Sequence, residues 1–341
     1  MLPSHRKYLF VGRRFGEAGL LHGWMPLAGA IGLALAAAAA AADQNPVGIA
    51  KGPGTITVLW AGQPLARYQS DPHPNKPYLE SLFSPAGLNV LRDSPADHKH
   101  HHGLMFAVAV EGVDFWSETP TCGRQVDRDT AAVVRPGKDG PAAPGSTAAA
   151  ILTQRLAWLS PGGTPLLEET RTLEITRLAA DPATLLVWQS RLAVPPGRPS
   201  SKLSGSAYFG LGMRFALSMD RGGQLLNAQG HTGQTQTNNV RAAWTAYTAA
   251  VDGKPVTVAM FDLAGNPRPA TWFTMEQPFA YLSATLGLHE KPLDIPAAEP
   301  LELRYGVAVW DGKVSPSAID EVYKLLLVGH PAADGRGRQK P

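Results

Sequence analysis

The chain carries a single cysteine, Cys122, among its 341 residues. One thiol cannot close an intrachain disulfide, and it excludes a cysteine-rich zinc or iron–sulfur site. Cys122 reads as a buried, idle thiol. Neither sign of charge dominates: 31 basic residues face 28 acidic ones, for a formal net charge of +3. Much of the basic surplus sits at the two ends, in Arg6, Lys7, Arg13 and Arg14 and in Arg336, Arg338 and Lys340. No broad positive field results, so nucleic acid is not an expected partner. A glycine-rich phosphate loop and a Gly-x-Ser-x-Gly elbow are missing, which disfavours nucleotide handling and serine-hydrolase chemistry. No internal repeat is found, and beyond the N-terminal region there is no long apolar run.

That N-terminal region has the form of an export signal. A basic stretch ends at Arg14, an uncharged run extends from Gly19 to Ala42, and the run closes in alanines before Asp43. Basic head, apolar middle and small-residue exit predict a signal peptide over 1–42 and a periplasmic or secreted mature chain. The run is also long enough to span a bilayer, so an uncleaved segment would make it a membrane anchor. Membrane contact is expected only in that case.

The mature part reads as all-β. Short apolar or alternating runs, such as 55–60, 149–159, 166–175, 184–193 and 301–310, are divided by turn signals such as Ser160-Pro161-Gly162-Gly163 and Val251-Asp252-Gly253-Lys254. This spacing predicts a large antiparallel β-sandwich over 47–330 as one domain. The Pro- and Gly-rich stretches 136–146 and 195–206 read as surface loops. One helix closes the body: Ser315 caps, Pro316 suits the first helical position, and Ile319, Val322, Tyr323 and Leu326 share a face up to Gly329. Residues 331–341 read as a disordered tail.

Four of the ten histidines fall within five residues, in Asp97-His98-Lys99-His100-His101-His102-Gly103-Leu104. Imidazole both titrates near neutral pH and binds transition metals. If this segment is extended, His98, His100 and His102 share a face with Leu104 and Phe106 and line the mouth of a cavity. A bulge at Gly103 would flip that phase. Three readings compete: acid–base catalysis by His98, His100 and His101; a divalent metal held by Asp97, His98 and His100; and a structural hydrogen-bond network. Arg92, His102, His231, Asn266, Arg268 and Trp116 are candidate substrate-binding groups. Asp93, Glu80, Glu169, Arg171 and Arg214 could also converge on this site; the charges that interrupt apolar strands otherwise read as solvated faces.

Several motifs carry a family likeness. Lys76-Pro77-Tyr78, Ser94-Pro95-x-Asp97-His98-x-His100-His101-x-Gly103-Leu104 and Glu111-Gly112-Val113-Asp114-Phe115-Trp116-Ser117-Glu118 resemble the bacterial family labelled PmoA. The likeness continues in Asn266-Pro267-Arg268-Pro269 and Arg304-Tyr305. It implies a supersandwich of the kind seen in galactose mutarotase and some polysaccharide lyases, and hence carbohydrate chemistry on a small-molecule or oligosaccharide substrate. Methane oxidation is not implied, because the membrane subunit of that name crosses the bilayer several times. Two positions depart from the family pattern: His102 stands where Arg is usual, and Phe273 follows Trp272 where His is usual. The resulting expectation is an exported carbohydrate-active enzyme of hydrolase, lyase or epimerase type, with a noncatalytic carbohydrate-binding or envelope protein, or a metal-dependent enzyme, as the alternative. His98 and His101 would move the proton, with Arg92 and Arg268 orienting the ligand.

Overall fold

The computed structural model describes residues 45–71, 75–137, 148–178 and 182–330. The expected signal segment, the expected tail and most of the 136–146 loop lie outside these residues. Among the described residues the fold is built from three antiparallel sheets. The first has nine strands in the order Val47–Gly52, Thr55–Trp60, Gln63–Gln69, Tyr78–Leu82, Leu104–Ala107, Gly210–Arg214, Tyr281–Thr285, Thr271–Met275 and Val240–Arg241. The second has eight, in the order Gln224–Asn227, Trp244–Val251, Lys254–Asp262, Leu301–Asp311, Ala183–Ala193, Pro165–Leu178, Ala149–Leu159 and Arg124–Arg135. A small third sheet joins Leu293–Pro296, Ser200–Ser204, Ala109–Val110 and Val113–Asp114. No described helix is long and apolar enough to cross a membrane.

The two large sheets face each other across one apolar core, as the alternating patterns predict. Phe106 of the first meets Trp158 of the second with ring centroids 5.9 Å apart, and Phe215 meets Tyr247 at 4.9 Å. The closing helix, Pro316–Gly329, forms as its sequence dictates: the Ser315 hydroxyl accepts the Ala318 N–H at 3.2 Å. Ile319, Val322 and Leu326 pack on the outer side of the second sheet, against Leu185, Trp244, Phe261 and Trp310. Two shorter helical pieces accompany it, Gly233–Thr237 and a 3-10 turn at Leu217–Asp220.

The structure corrects three local expectations. Part of the 195–206 stretch is a strand, Ser200–Ser204, paired to Leu293–Pro296 despite the Pro-rich lead-in. Glu169 and Arg171 do not face solvent; both side chains are fully buried, as is nearly all of Arg214. The histidine run is not a strand. His98 N–H bonds Pro95 O and His101 N–H bonds His98 O, both at 2.9 Å, giving two successive turns before the chain enters Leu104–Ala107. Strand alternation therefore does not sort these histidines. Gly103 lies at the junction with φ +22°, and a Cβ there would come 2.1 Å from Leu79 O. Gly103→Ala is expected to destabilise the protein by about 1–3 kcal/mol through this backbone overlap; an unchanged urea midpoint would contradict it.

Candidate functional site

The loop 93–102 leaves the first sheet and returns to it, pinned at both ends. Arg92 N–H bonds Arg214 O at 3.0 Å, Ser94 N–H bonds His101 O at 2.9 Å, and Gly103 N–H bonds Arg92 O at 3.2 Å. Folding back in this way splits the four histidines into two groups.

His102 alone turns into a buried ionic network. Its Nδ1 lies 2.7 Å from Asp93 Oδ1 and its Nε2 2.8 Å from Glu118 Oε1, while its ring stacks on Tyr78 at 4.3 Å. Glu118 Oε1 also accepts from Lys76 Nζ at 2.7 Å, and Lys76 donates again to Trp116 O at 2.8 Å. Tyr78 donates to Asp93 Oδ2 at 3.2 Å. The side chains of His102 and Lys76 are wholly inaccessible. Burial opposes a charge on His102, but the hydrogen bonds to Asp93 and Glu118 outweigh it and raise its pKa above that of an ordinary imidazole. Burial pushes Glu118 up, yet His102 and Lys76 hold its pKa below the usual carboxylate value. Two cations and two carboxylates alternate here. Because both nitrogens of His102 are spent on carboxylates, it is a fixed imidazolium that ties the loop to residues 76–78 and 116–118. The substrate-binding role expected of it is not what its contacts show.

His98, His100 and His101 gather on the other side. The His98 and His101 rings stack at 4.7 Å, His100 meets His101 at 4.6 Å, and His98 meets His100 at 5.9 Å. His101 is buried among Phe279 at 5.6 Å, Tyr281 at 5.3 Å and Trp116 at 6.3 Å. Trp116 in turn stacks on Phe209 at 5.2 Å and meets Tyr208 edge-on at 5.4 Å. Phe273 contacts Tyr208 and Tyr281. The close approach of Trp116 and Tyr281 depends on Gly212, where a Cβ would sit 2.0 Å from the Tyr281 hydroxyl and 2.7 Å from Trp116. His98, His100, Tyr208 and Phe273 are partly exposed and contact a buried floor of His101, Trp116, Phe279 and Tyr281.

The floor holds an unusual set of groups. His101 Nδ1, Trp116 Nε1 and the Tyr281 hydroxyl are all buried without a hydrogen-bond partner among the described residues. Their rings are mutual neighbours, Trp116 lying 6.2 Å from Tyr281. Burial drives the His101 pKa down to about 3, helped by the neighbouring His100, His98 and Arg214. His100 is lowered as well, by burial and then by Lys76 and His98. Both imidazoles are therefore neutral near pH 7, able to donate at one nitrogen and accept at the other. At the rim, Asp97 Oδ2 lies 3.0 Å from His98 Nδ1, which points the other ring nitrogen away from the carboxylate.

The chain belongs to the family of unknown function DUF6807. The match covers residues 55–324. This corrects the likeness to the PmoA family, which rested on local motifs: the family model that matches is DUF6807, over most of the chain. The contrasts drawn at His102 and Phe273 lose their reference with it. No curated protein matches this DUF6807 chain. Among solved structures it is similar to the family GH36 α-galactosidase AgaB from Geobacillus stearothermophilus, at 12% identity and a TM-score of 0.47, covering 86% of this chain and 45% of that one. It is also similar to a glycoside hydrolase family 97 enzyme from Pseudoalteromonas sp. strain K8 solved with panose, at 8% identity and a TM-score of 0.38, covering 78% and 34%. The chain thus spans less than half the length of either. Likenesses this distant carry no argument about what the DUF6807 chain binds.

Of the remaining residues expected at the site, Arg92 and Trp116 adjoin it and three do not. His231 is exposed in a turn whose backbone is held by Asn227. Asn266 is a loop clamp, bonded to Asp262 Oδ1, Arg304 O and Arg304 N–H. Arg268 donates to Leu286 O and Lys291 O, fastening one loop to another. Asp97, His98 and His100 do not assemble as a ligand set; among the described residues no three His, Cys, Asp or Glu side chains are placed to hold a metal ion. Lys76, Tyr78, Glu118, Phe279 and Tyr281 were not anticipated as site residues. They come from separate stretches of the chain that meet only in the fold.

Proposed function

We propose that this protein is an exported carbohydrate-active protein whose ligand, a polyhydroxylated small molecule or oligosaccharide, seats in the recess of His98, His100, His101, Trp116, Phe279 and Tyr281. One observation carries the reading: three adjacent buried rings each hold a polar atom that finds no partner within the protein. Leaving such atoms unpaired is costly, and a ligand that pairs them recovers that cost. Aromatic faces beside a few neutral donors and acceptors suit a ring that presents C–H groups on its faces and hydroxyls at its edge.

A second reading rests on the Asp97–His98 pair. A carboxylate bonded to one imidazole nitrogen fixes the tautomer and directs the other nitrogen outward, the arrangement of an oriented general base. His98 would then move a proton in hydrolysis, elimination or epimerisation of the bound sugar.

Calorimetric titration of the whole protein with a panel of mono- and oligosaccharides tests both. At least one sugar is expected to bind, and His101→Ala to weaken it about tenfold by removing a buried hydrogen bond. His231→Ala should leave binding unchanged. Absence of binding across the panel, or equal affinity in His101→Ala, would overturn the proposal. Mass spectrometry of the bound sugars addresses the catalytic reading: product formed by the parent protein and lost in His98→Ala supports it, and a bound sugar that is never altered refutes it.

A further inference from the structure

Beside the recess, two guanidinium groups share one carboxylate. Asp220 Oδ2 lies 3.3 Å from Arg214 Nη2 and 3.6 Å from Arg92 Nη1, while Asp220 Oδ1 accepts the Ala280 N–H at 2.9 Å. Arg214 is 1% exposed. Its only other bond runs from Nη1 to Ala280 O at 3.4 Å, and its buried Nε has no partner among the described residues. Both bonds are long for an N–H donor. The same interior shows what a satisfied buried arginine looks like. Arg171 places five hydrogen bonds on Glu169, Tyr68, Pro77 and Gln125, all at 3.1 Å or less. By comparison Arg214 is short of acceptors.

The starved group borders the recess. Arg214 Cζ sits 3.7 Å from the centre of the Phe279 ring, and that ring also touches His98 at 4.9 Å and His101 at 5.6 Å. Arg92 is a quarter exposed and reachable from solvent. Two positive charges therefore face the single negative charge of Asp220. The other acid at hand, Asp97, is well exposed and committed to His98. Arg214 therefore stands at the edge of these aromatic rings with fewer acceptors than it has donors.

We infer that the recess takes an acidic sugar, a uronate whose carboxylate is received by Arg92 and Arg214. The inference rests on the carbohydrate reading above and adds the class of sugar. The two oxygens of a carboxylate match the planar fork of a guanidinium. The acceptors that Arg214 lacks are those the ligand brings.

Calorimetric titration with matched pairs decides it: methyl glucuronoside against methyl glucoside and galacturonate against galactose, with glucose 6-phosphate and acetate as controls. Each uronate is expected to bind about tenfold or more tighter than its neutral partner, as a charge-assisted bond allows. Arg92→Gln should remove most of that advantage, and Arg92→Lys should restore part of it. Raising salt should weaken the uronate alone. Arg92 lies at the surface, so circular dichroism of its variants should match the parent. A neutral sugar that binds as tightly as its uronate, and still depends on His101, would overturn the acidic class while sparing the carbohydrate reading. Stronger binding of glucose 6-phosphate would overturn the choice of carboxylate, and acetate binding as tightly as a uronate would overturn the choice of sugar. Binding of no sugar at all would overturn both proposals.

Discussion

Arg171→Met is expected to lower the unfolding free energy by about 3–5 kcal/mol, because it leaves a buried carboxylate without its counter-ion. Arg171 and Glu169 are both fully buried. Burial disfavours the guanidinium charge, but Glu169 more than compensates and holds the Arg171 pKa above the ordinary arginine value. Glu169 is further bonded by Ser190 Oγ at 2.6 Å and Trp158 Nε1 at 3.0 Å, so its loss of partner cannot be relieved by solvent. Arg171 belongs to the second sheet, while Tyr68 and Pro77, which it also bonds, belong to the first sheet and the approach to it. It is a rivet through the core, and the segment it grips leads into Tyr78 beneath His102. Guanidinium unfolding curves of Arg171→Met, Glu169→Leu and the double variant check the claim. The double variant should lose much less than the two single losses added together, because it removes both charges. A loss below about 1 kcal/mol for Arg171→Met would place this pair among ordinary weak ion pairs.

Acid is expected to destabilise the protein through His101 well before most carboxylates titrate. The folded-state pKa of His101 is about 3, against an ordinary 6.5. Between those values the unfolded chain binds a proton that the folded protein refuses, so stability falls as pH drops from 6.5 toward 3. A shift of that size corresponds to a loss on the order of 5 kcal/mol. His102 acts in the opposite sense: its raised pKa gives stability that is complete below pH 6.5 and lost as pH rises through the folded value. The depressed Glu118 adds stability that is present above its ordinary pKa and lost as pH falls through its folded value. The combined expectation is a stability maximum near neutrality. Urea titrations from pH 4 to pH 8 should show a steep acid limb in the parent protein that flattens in His101→Gln. Parallel acid limbs in the two proteins would show that His101 is not the group responsible.

The strand-rich architecture and the C-terminal helix were legible because they depend on local patterns. Ser315, Pro316 and the spacing of Ile319, Val322 and Leu326 each act within a few residues. Glu169 and Arg171 were also open to a stricter local reading: they fall in phase with Leu167, Leu173 and Ile175, which are buried on the same face of that strand. Treating strand charges as solvated missed this, since a charge can face inward when its partner travels with it. The histidine motif was readable as a place, but not as a geometry. Strand alternation paired His98, His100 and His102, whereas two turns group His98 with His100 and His101 and send His102 elsewhere. The polar loops at His231, Asn266 and Arg268 looked equally suited to function; Asn266 and Arg268 spend side-chain bonds on neighbouring backbone, while His231 is exposed and its own backbone N–H is held by Asn227.

Alternation and turn residues in the sequence determined an antiparallel β protein with a capped terminal helix, and histidine density marked 97–103 as a candidate site. Which histidine is charged, which is neutral and which polar atoms lie unpaired was decided only by the tertiary structure. Protonation follows from burial and from neighbours such as Glu118, Arg214 and Tyr281, which lie between 16 and 180 residues away along the chain. Electrostatic energy depends on distance through space, and the chain's order does not encode it until the sheets close.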